Sequence, residues 1–221
     1  MKKIFNLLTA LVLLTSTVCA QTTTDQDPKA KAVLDKLSAK TKGYSSISAS
    51  FNSTLDNKKA NLKVNQKGNL KIKGNKYKIE LDDYTVINDG KTGWTYTKEA
   101  NEVQVDDAAE MKKGGGIKPS EIFTIWENGF RYKYEKEVTI AGAKCDIIKL
   151  FPKDTKGKNY HTIVLTINKT KMEVQNVEVL GKSGEIYTYQ VTKFAPNAAL
   201  ADADFNFDKT KYPGVEVIDN R

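Results

Sequence analysis

The chain has 221 residues, a formal net charge of +8, 39% hydrophobic and 28% charged residues, and only two cysteines. Such a length and apolar content suit one domain with a sizeable core, and they exclude a small scaffold stapled by disulfides. The lysines are spread along the chain and are not gathered with interleaved aromatics, which argues against nucleic acid; a general positive charge favours anionic membrane surfaces or acidic proteins instead.

Lys2 and Lys3 precede an apolar run from Ile4 to Leu14, which leads to Val18-Cys19-Ala20 and then polar Gln21. This is the pattern of a secretory signal peptide cleaved after Ala20, because the run is too short to span a bilayer. Its removal takes away Lys2 and Lys3 and no acid, leaving residues 21–221 as a single domain of net charge +6. Cys19 offers an alternative, since a lipidated cysteine also follows a signal peptide. Val18 stands where that processing prefers Gly, Ala or Ser, so the pattern favours soluble export. After cleavage Cys145 is alone, and its place in an alternating run predicts a buried core thiol.

The first predicted element is a helix, with Asp27 as N-cap, Pro28 at the first helical position and Gly43 as the stop. Ala30, Val33, Leu34 and Leu37 fall at helical spacing, which makes about four amphipathic turns. From Ser45 the period becomes two. Ile47, Ala49, Phe51 and Leu55 alternate with polar residues, followed by Leu62 and Val64, Leu70 and Ile72, then Tyr77, Ile79 and Leu81. One apolar face and one wet face indicate antiparallel sheet. Gly68 and Gly74 interrupt the pattern as a bulge or turn would. Val86 to Tyr96 forms a hairpin around Asp89-Gly90, and Val103 and Val105 end the first half.

A flexible connector through Gly114-Gly115-Gly116 leads to "GIKPSEIFTIWENG". Pro119 and Gly129 bound a helix of about ten residues carrying Ile122, Phe123, Ile125 and Trp126, too short to stand alone in water. It either plugs the end of a barrel or covers an apolar cavity as a movable lid. Strands resume at Phe130 to Tyr134, Val138 to Ile140, Cys145 to Phe151, Tyr160 to Ile167, Met172 to Val179 and Ile186 to Val191. Phe205 and Phe207 alternate in a last short strand, and Pro213-Gly214 precedes a tail of Val215 to Ile218.

The chemistry motifs fail one by one. His161 is the single histidine, placed mid-strand, and no serine elbow lies between glycines, so no catalytic residue is assigned. Gly90-Lys91-Thr92 lacks the earlier glycine and the following helix of a phosphate loop. Asp202 to Asp208 places oxygens at alternate positions, but Phe207 and Pro213 stand where a calcium loop needs Gly and Glu. No metal site and no cofactor are expected.

With the amphipathic helix in front, "ISASFNSTL", "GNLKIKGNKYKIEL", "VINDGKTGWTYTKEANEVQV", the Pro-initiated apolar helix and "FNFDKTKYPGVEVID" follow in order, from about Asp27 to Asp219. In this the chain resembles the periplasmic outer-membrane lipoprotein carrier protein family, LolA. The resemblance implies a mainly β protein: a curved, incomplete antiparallel β-barrel with helices closing its mouth over an apolar cavity. It further implies a periplasmic chaperone, not an enzyme; a monomer is expected. Such a carrier takes acylated lipoproteins from an inner-membrane ABC-type releasing complex and hands them to an outer-membrane acceptor. The alternatives of the same fold are a membrane-anchored acceptor and a protein that senses envelope lipids.

The candidate lipid-binding residues are the large members of the alternating faces, Phe51, Val64, Leu70, Ile72, Tyr77, Ile79, Trp94, Tyr96 and Val105, with Ile122, Phe123, Ile125 and Trp126 from the cover. Each also has an ordinary role as core filling. Many family members carry an Arg-Pro pair after the second strand, whose arginine holds the empty carrier shut. Here Lys73-Gly74-Asn75 occupies that place, and Lys73 can act only as a point charge.

Overall fold

Twelve strands make a single sheet in the computed structural model, which describes residues 26–111 and 124–221. They are β1 (Ile47–Asn57), β2 (Leu62–Lys73), β3 (Lys76–Glu80), β4 (Tyr84–Asn88), β5 (Thr92–Thr97), β6 (Glu102–Asp107), β7 (Phe130–Ile140), β8 (Ala143–Pro152), β9 (Tyr160–Asn168), β10 (Glu173–Gly181), β11 (Glu185–Pro196) and β12 (Glu216–Asp219). Their order is β12-β6-β5-β4-β3-β2-β1-β11-β10-β9-β8-β7, antiparallel throughout except for β12 beside β6. The export segment, its cleavage site and Cys19 lie outside the described residues.

The sheet is open and curved. Apolar side chains from strands far apart in its order, such as Ile72 and Tyr77 on one side and Leu150 and Leu165 on the other, join one core cluster with the helix α1 (Pro28–Lys42). Only a sheet bent around the helix brings them together. Ala30, Leu34 and Leu37 are buried there, and each of the two leucines contributes roughly 1.5–3 kcal/mol of apolar burial.

Asp27 starts the helix and also fixes where it sits. One carboxylate oxygen accepts from the backbone N–H of Lys29 at 2.8 Å and of Ala30 at 3.2 Å. The other accepts from the Tyr134 backbone N–H of β7 at 3.0 Å, while the Asp27 N–H donates to the Tyr132 carbonyl. The cap thus binds the helix start to the edge strand. Burial alone would raise the pKa of this carboxyl, but the N–H groups of Tyr134, Ala30 and Lys29 outweigh it and hold it below the ordinary 3.8. Its contribution is therefore complete above pH 3.8 and is lost as the pH falls through the lower folded-state value. Asp27→Ala is expected to cost about 0.5–2 kcal/mol at neutral pH in urea denaturation, with the gap to the native chain closing in strong acid.

Several expectations are corrected. Gly68 is neither bulge nor turn: pairing with β1 runs unbroken through Phe51 and Gly68. The glycine is needed because the Phe51 ring lies over it, its Cζ only 2.2 Å from where a Cβ would stand. Gly74 does make the turn, at φ +59. The two runs Phe130 to Tyr134 and Val138 to Ile140 are one strand, β7, with an irregularity between Tyr134 and Lys136. Phe205 and Phe207 form no strand. Asp204 accepts from the Ala201 N–H at 2.9 Å and winds Asp202–Phe205 into a 3-10 turn instead, leaving Phe205 fully buried. The tail holds the strand, as β12.

The C-terminal segment is held to the sheet by lysines. Lys71 pairs with Asp204 at 2.7 Å, and Lys73 and Lys76 pair with Asp202 at 2.9 and 3.1 Å. Lys73 also donates to the Leu200 carbonyl at 3.0 Å. Lys73 therefore straps the C-terminal turn. Cys145 is a fully buried free thiol, as its alternating run predicts.

Candidate functional site

A cavity of about 320 Å³ opens on the concave face, at the low end of the roughly 300–1,000 Å³ usual for ligand pockets. β1 and β2 supply Ala49, Phe51 and Leu70, and β3 with the loop after it supplies Ile79 and Leu81. The opposite wall is Val174, Val177 and Val179 of β10 with Tyr187, Tyr189 and Val191 of β11. Tyr84, Asn159, Tyr160, Gly181 and Glu185 complete it.

Register explains why these side chains converge. Phe51 lies opposite Gly68 on β2 and Val191 on β11, and Tyr189 lies opposite Val177. Directly opposed residues share a face, so the alternating apolar sets of both halves line one surface. The Phe51 and Tyr189 rings meet edge to face at 6.0 Å. Burial, with Tyr84 and Tyr187 nearby, pushes the Tyr189 phenol up to about 12, and burial first of all raises Tyr84. These hydroxyls stay neutral at physiological pH. The tyrosines of the wall thus offer no charge to an apolar guest.

Of the residues singled out from the sequence, Phe51, Leu70 and Ile79 line the cavity. Ile72 and Tyr77 lie on the same face but are buried in the core with α1, where their role is packing. Val64 sits further out along β2 and is 38% exposed. Trp94, Tyr96 and Val105 belong to the other face. Trp94 is opposite Ile87 and Val105, and Ile87 is opposite Lys78, which lies between the concave residues Tyr77 and Ile79. There Tyr96 packs against the rings of Phe207 and Tyr212 in the C-terminal segment, at 6.0 and 4.4 Å. These three residues are corrected from cavity lining to the packing of the second layer.

Ile122 and Phe123 lie outside the described residues. The part of the cover that is described is a single 3-10 turn, Ile125–Glu127, not an α-helix running to Gly129. Thr124 at φ −141 and extended Asn128 break helical continuity on both sides, and Gly129 at φ +78 swings the chain into β7. Trp126 is 3% exposed within the core cluster, with Ile125 packed against it. Its indole Nε1–H donates to Ser38 Oγ of α1 at 2.8 Å, and Glu127 pairs with Lys42 at 2.7 Å. At the other end of the connector, Met111 lies over Gly93 on the concave face.

The wall from β9 to β11 is absent from the sequence-based candidates. Its alternation, Val177 and Val179 with Tyr187, Tyr189 and Val191, is as regular as that of β1 to β3. What singles it out is the β1 to β11 pairing, which joins residues about 140 positions apart.

A bent antiparallel sheet around one amphipathic helix, with an apolar hollow on its concave face, defines a class of open-barrel β proteins. The chain matches the model of the outer membrane lipoprotein carrier protein family, LolA, over residues 42–208, and it belongs to that family. Its fold is similar to that of an uncharacterized conserved protein from Thermus thermophilus, with a TM-score of 0.57 at 11% identity over 87% of this chain and 99% of the other. The lipoprotein LppX of Mycobacterium tuberculosis is similar with a TM-score of 0.50 at 13% identity, covering 80% of this chain and 99% of LppX. No curated protein matches the chain by sequence.

Proposed function

We propose that the protein is a periplasmic chaperone that shields the acyl chains of lipoproteins released from the inner membrane and delivers them to the outer membrane. The observation that carries this reading is the apolar cavity on the concave face, in a chain of the lipoprotein-carrier family. In this reading residues 1–20 direct export and are removed, 21–221 act as one carrier domain, and an ABC-type releasing complex and an outer-membrane acceptor are the partners. Among the described residues no helix is long and apolar enough to cross a membrane.

The energetics favour a carrier of moderate affinity. Burying an acyl chain gains about 0.8 kcal/mol per methylene, and a bilayer offers the same gain. A small cavity that covers only part of a chain therefore holds cargo against water and yields it to a membrane. No covalent step is needed.

The test incubates spheroplasts with the purified mature protein and follows newly made lipoproteins into the soluble fraction. Val191→Trp, which fills the hollow between Phe51 and Tyr189, is expected to lower release by about tenfold, the factor that ~1.4 kcal/mol of lost binding gives. The β signal in circular dichroism should persist. Absence of release by the native protein, together with no bound lipid in native mass spectrometry, would overturn the reading.

A further inference from the structure

One polar atom on the cavity wall has no partner among the described residues. Glu185 opens β11 opposite Asn57, and its side chain folds back over the end of β10. A Cβ on Gly181 would lie 2.2 Å from Glu185 Cδ and 2.3 Å from Oε1, so the glycine makes the notch in which the carboxyl rests. Both residues line the cavity. Glu185 Oε2 is buried and accepts no hydrogen bond from any described residue.

The neighbouring cations do not supply one. Lys182 donates its ammonium to the Thr155 carbonyl at 2.9 Å. The Lys59 side chain runs against Gly184 in the turn, and among the described residues neither lysine forms an ion pair with Glu185. A buried acceptor left unpaired is costly, the more so when charged, and a hydrogen bond from a charged donor is about twice as strong as a neutral one. The apolar wall and the carboxylate beside it together describe a complementary guest.

We propose that Glu185 is the headgroup acceptor of this cavity, taking a hydrogen bond from the protonated amine of an amphiphile whose alkyl chain lies along the wall. The proposal rests on the cavity being the lipid site put forward above.

Calorimetric titration of the purified mature protein with dodecylamine, dodecanol and dodecanoic acid, below micelle concentrations and at neutral pH, tests it. The expected order places dodecylammonium about tenfold tighter than dodecanoate. Glu185→Gln should erase that preference while dodecanol binding stays within about twofold. Gly181→Ala should do the same, because its methyl displaces the carboxyl from the notch without a backbone change. Thermal melts of both variants control for folding. Equal binding of the three amphiphiles, tighter binding of dodecanoate, or a preference that survives Glu185→Gln overturns the role of Glu185 and leaves the lipid cavity standing. If none of the three binds the native protein, the cavity reading falls, and this proposal falls with it.

Discussion

Replacing Trp126 with alanine is expected to destabilise the protein by about 3–5 kcal/mol, the range for deleting a buried aromatic ring. The side chain is 3% exposed and belongs to the same cluster as Leu34, Leu37 and Leu150. Its loss would leave a hole between α1 and the sheet and remove the indole donor from Ser38, whose hydroxyl keeps Glu127 as a partner. Trp126→Phe separates the two effects. It keeps most of the ring and removes only the bond to Ser38, so about 0.5–1.5 kcal/mol should go, and Ser38→Ala in that background reports the remaining bond of the hydroxyl to Glu127. Urea midpoints of the four proteins measure this. An unchanged midpoint for Trp126→Ala would mean that the indole has no part in holding the fold.

Phe205→Ala is expected to cost a similar 3–5 kcal/mol, but for a different layer of the molecule. Phe205 is fully buried yet stands outside the cluster beneath α1. The turn that carries it is otherwise held by the ion pairs of Lys71, Lys73 and Lys76, contacts open to solvent and weakened by it. Without the ring, the C-terminal segment should become cleavable by protease near Asp202 while the folded fraction still binds lipid. Loss of lipid binding in the folded fraction would show that the two layers are not independent.

The sequence showed the helix to within a residue, because Asp27, Pro28 and Gly43 are local signals whose physics does not depend on the rest of the chain. Most strands were legible by alternation, and the Asp89-Gly90 hairpin by its turn residues. What alternation cannot give is which face is concave. Phe51, Leu70 and Ile79 line the hollow, whereas Trp94, Tyr96 and Val105 follow the same rule in strands that are apolar on their other face. That second apolar face exists because the C-terminal segment covers it, and the alternation of Phe205 and Phe207 in that segment reads as a strand where the chain makes a 3-10 turn. Gly68 was misread for a related reason: a ring that crosses from the neighbouring strand leaves no trace in the local pattern.

The order of the strands carries a consequence for how the chain reaches its native state. Between β1 and β6 every neighbour in the sheet is a neighbour in sequence, and the same holds from β7 to β11. Each half can zip as a meander whose short loops cost little entropy to close. The halves meet along β1 and β11, whose paired residues are separated by most of the chain, and contacts of that span form slowly. Phe51 and Val191 face each other across that seam. The greasy hollow is therefore assembled last, and until the seam closes both of its walls are open to water and to other copies of the chain. Under the proposed function, a protein that keeps the apolar surface of others out of water passes, on its own way to folding, through the condition from which it would protect its cargo.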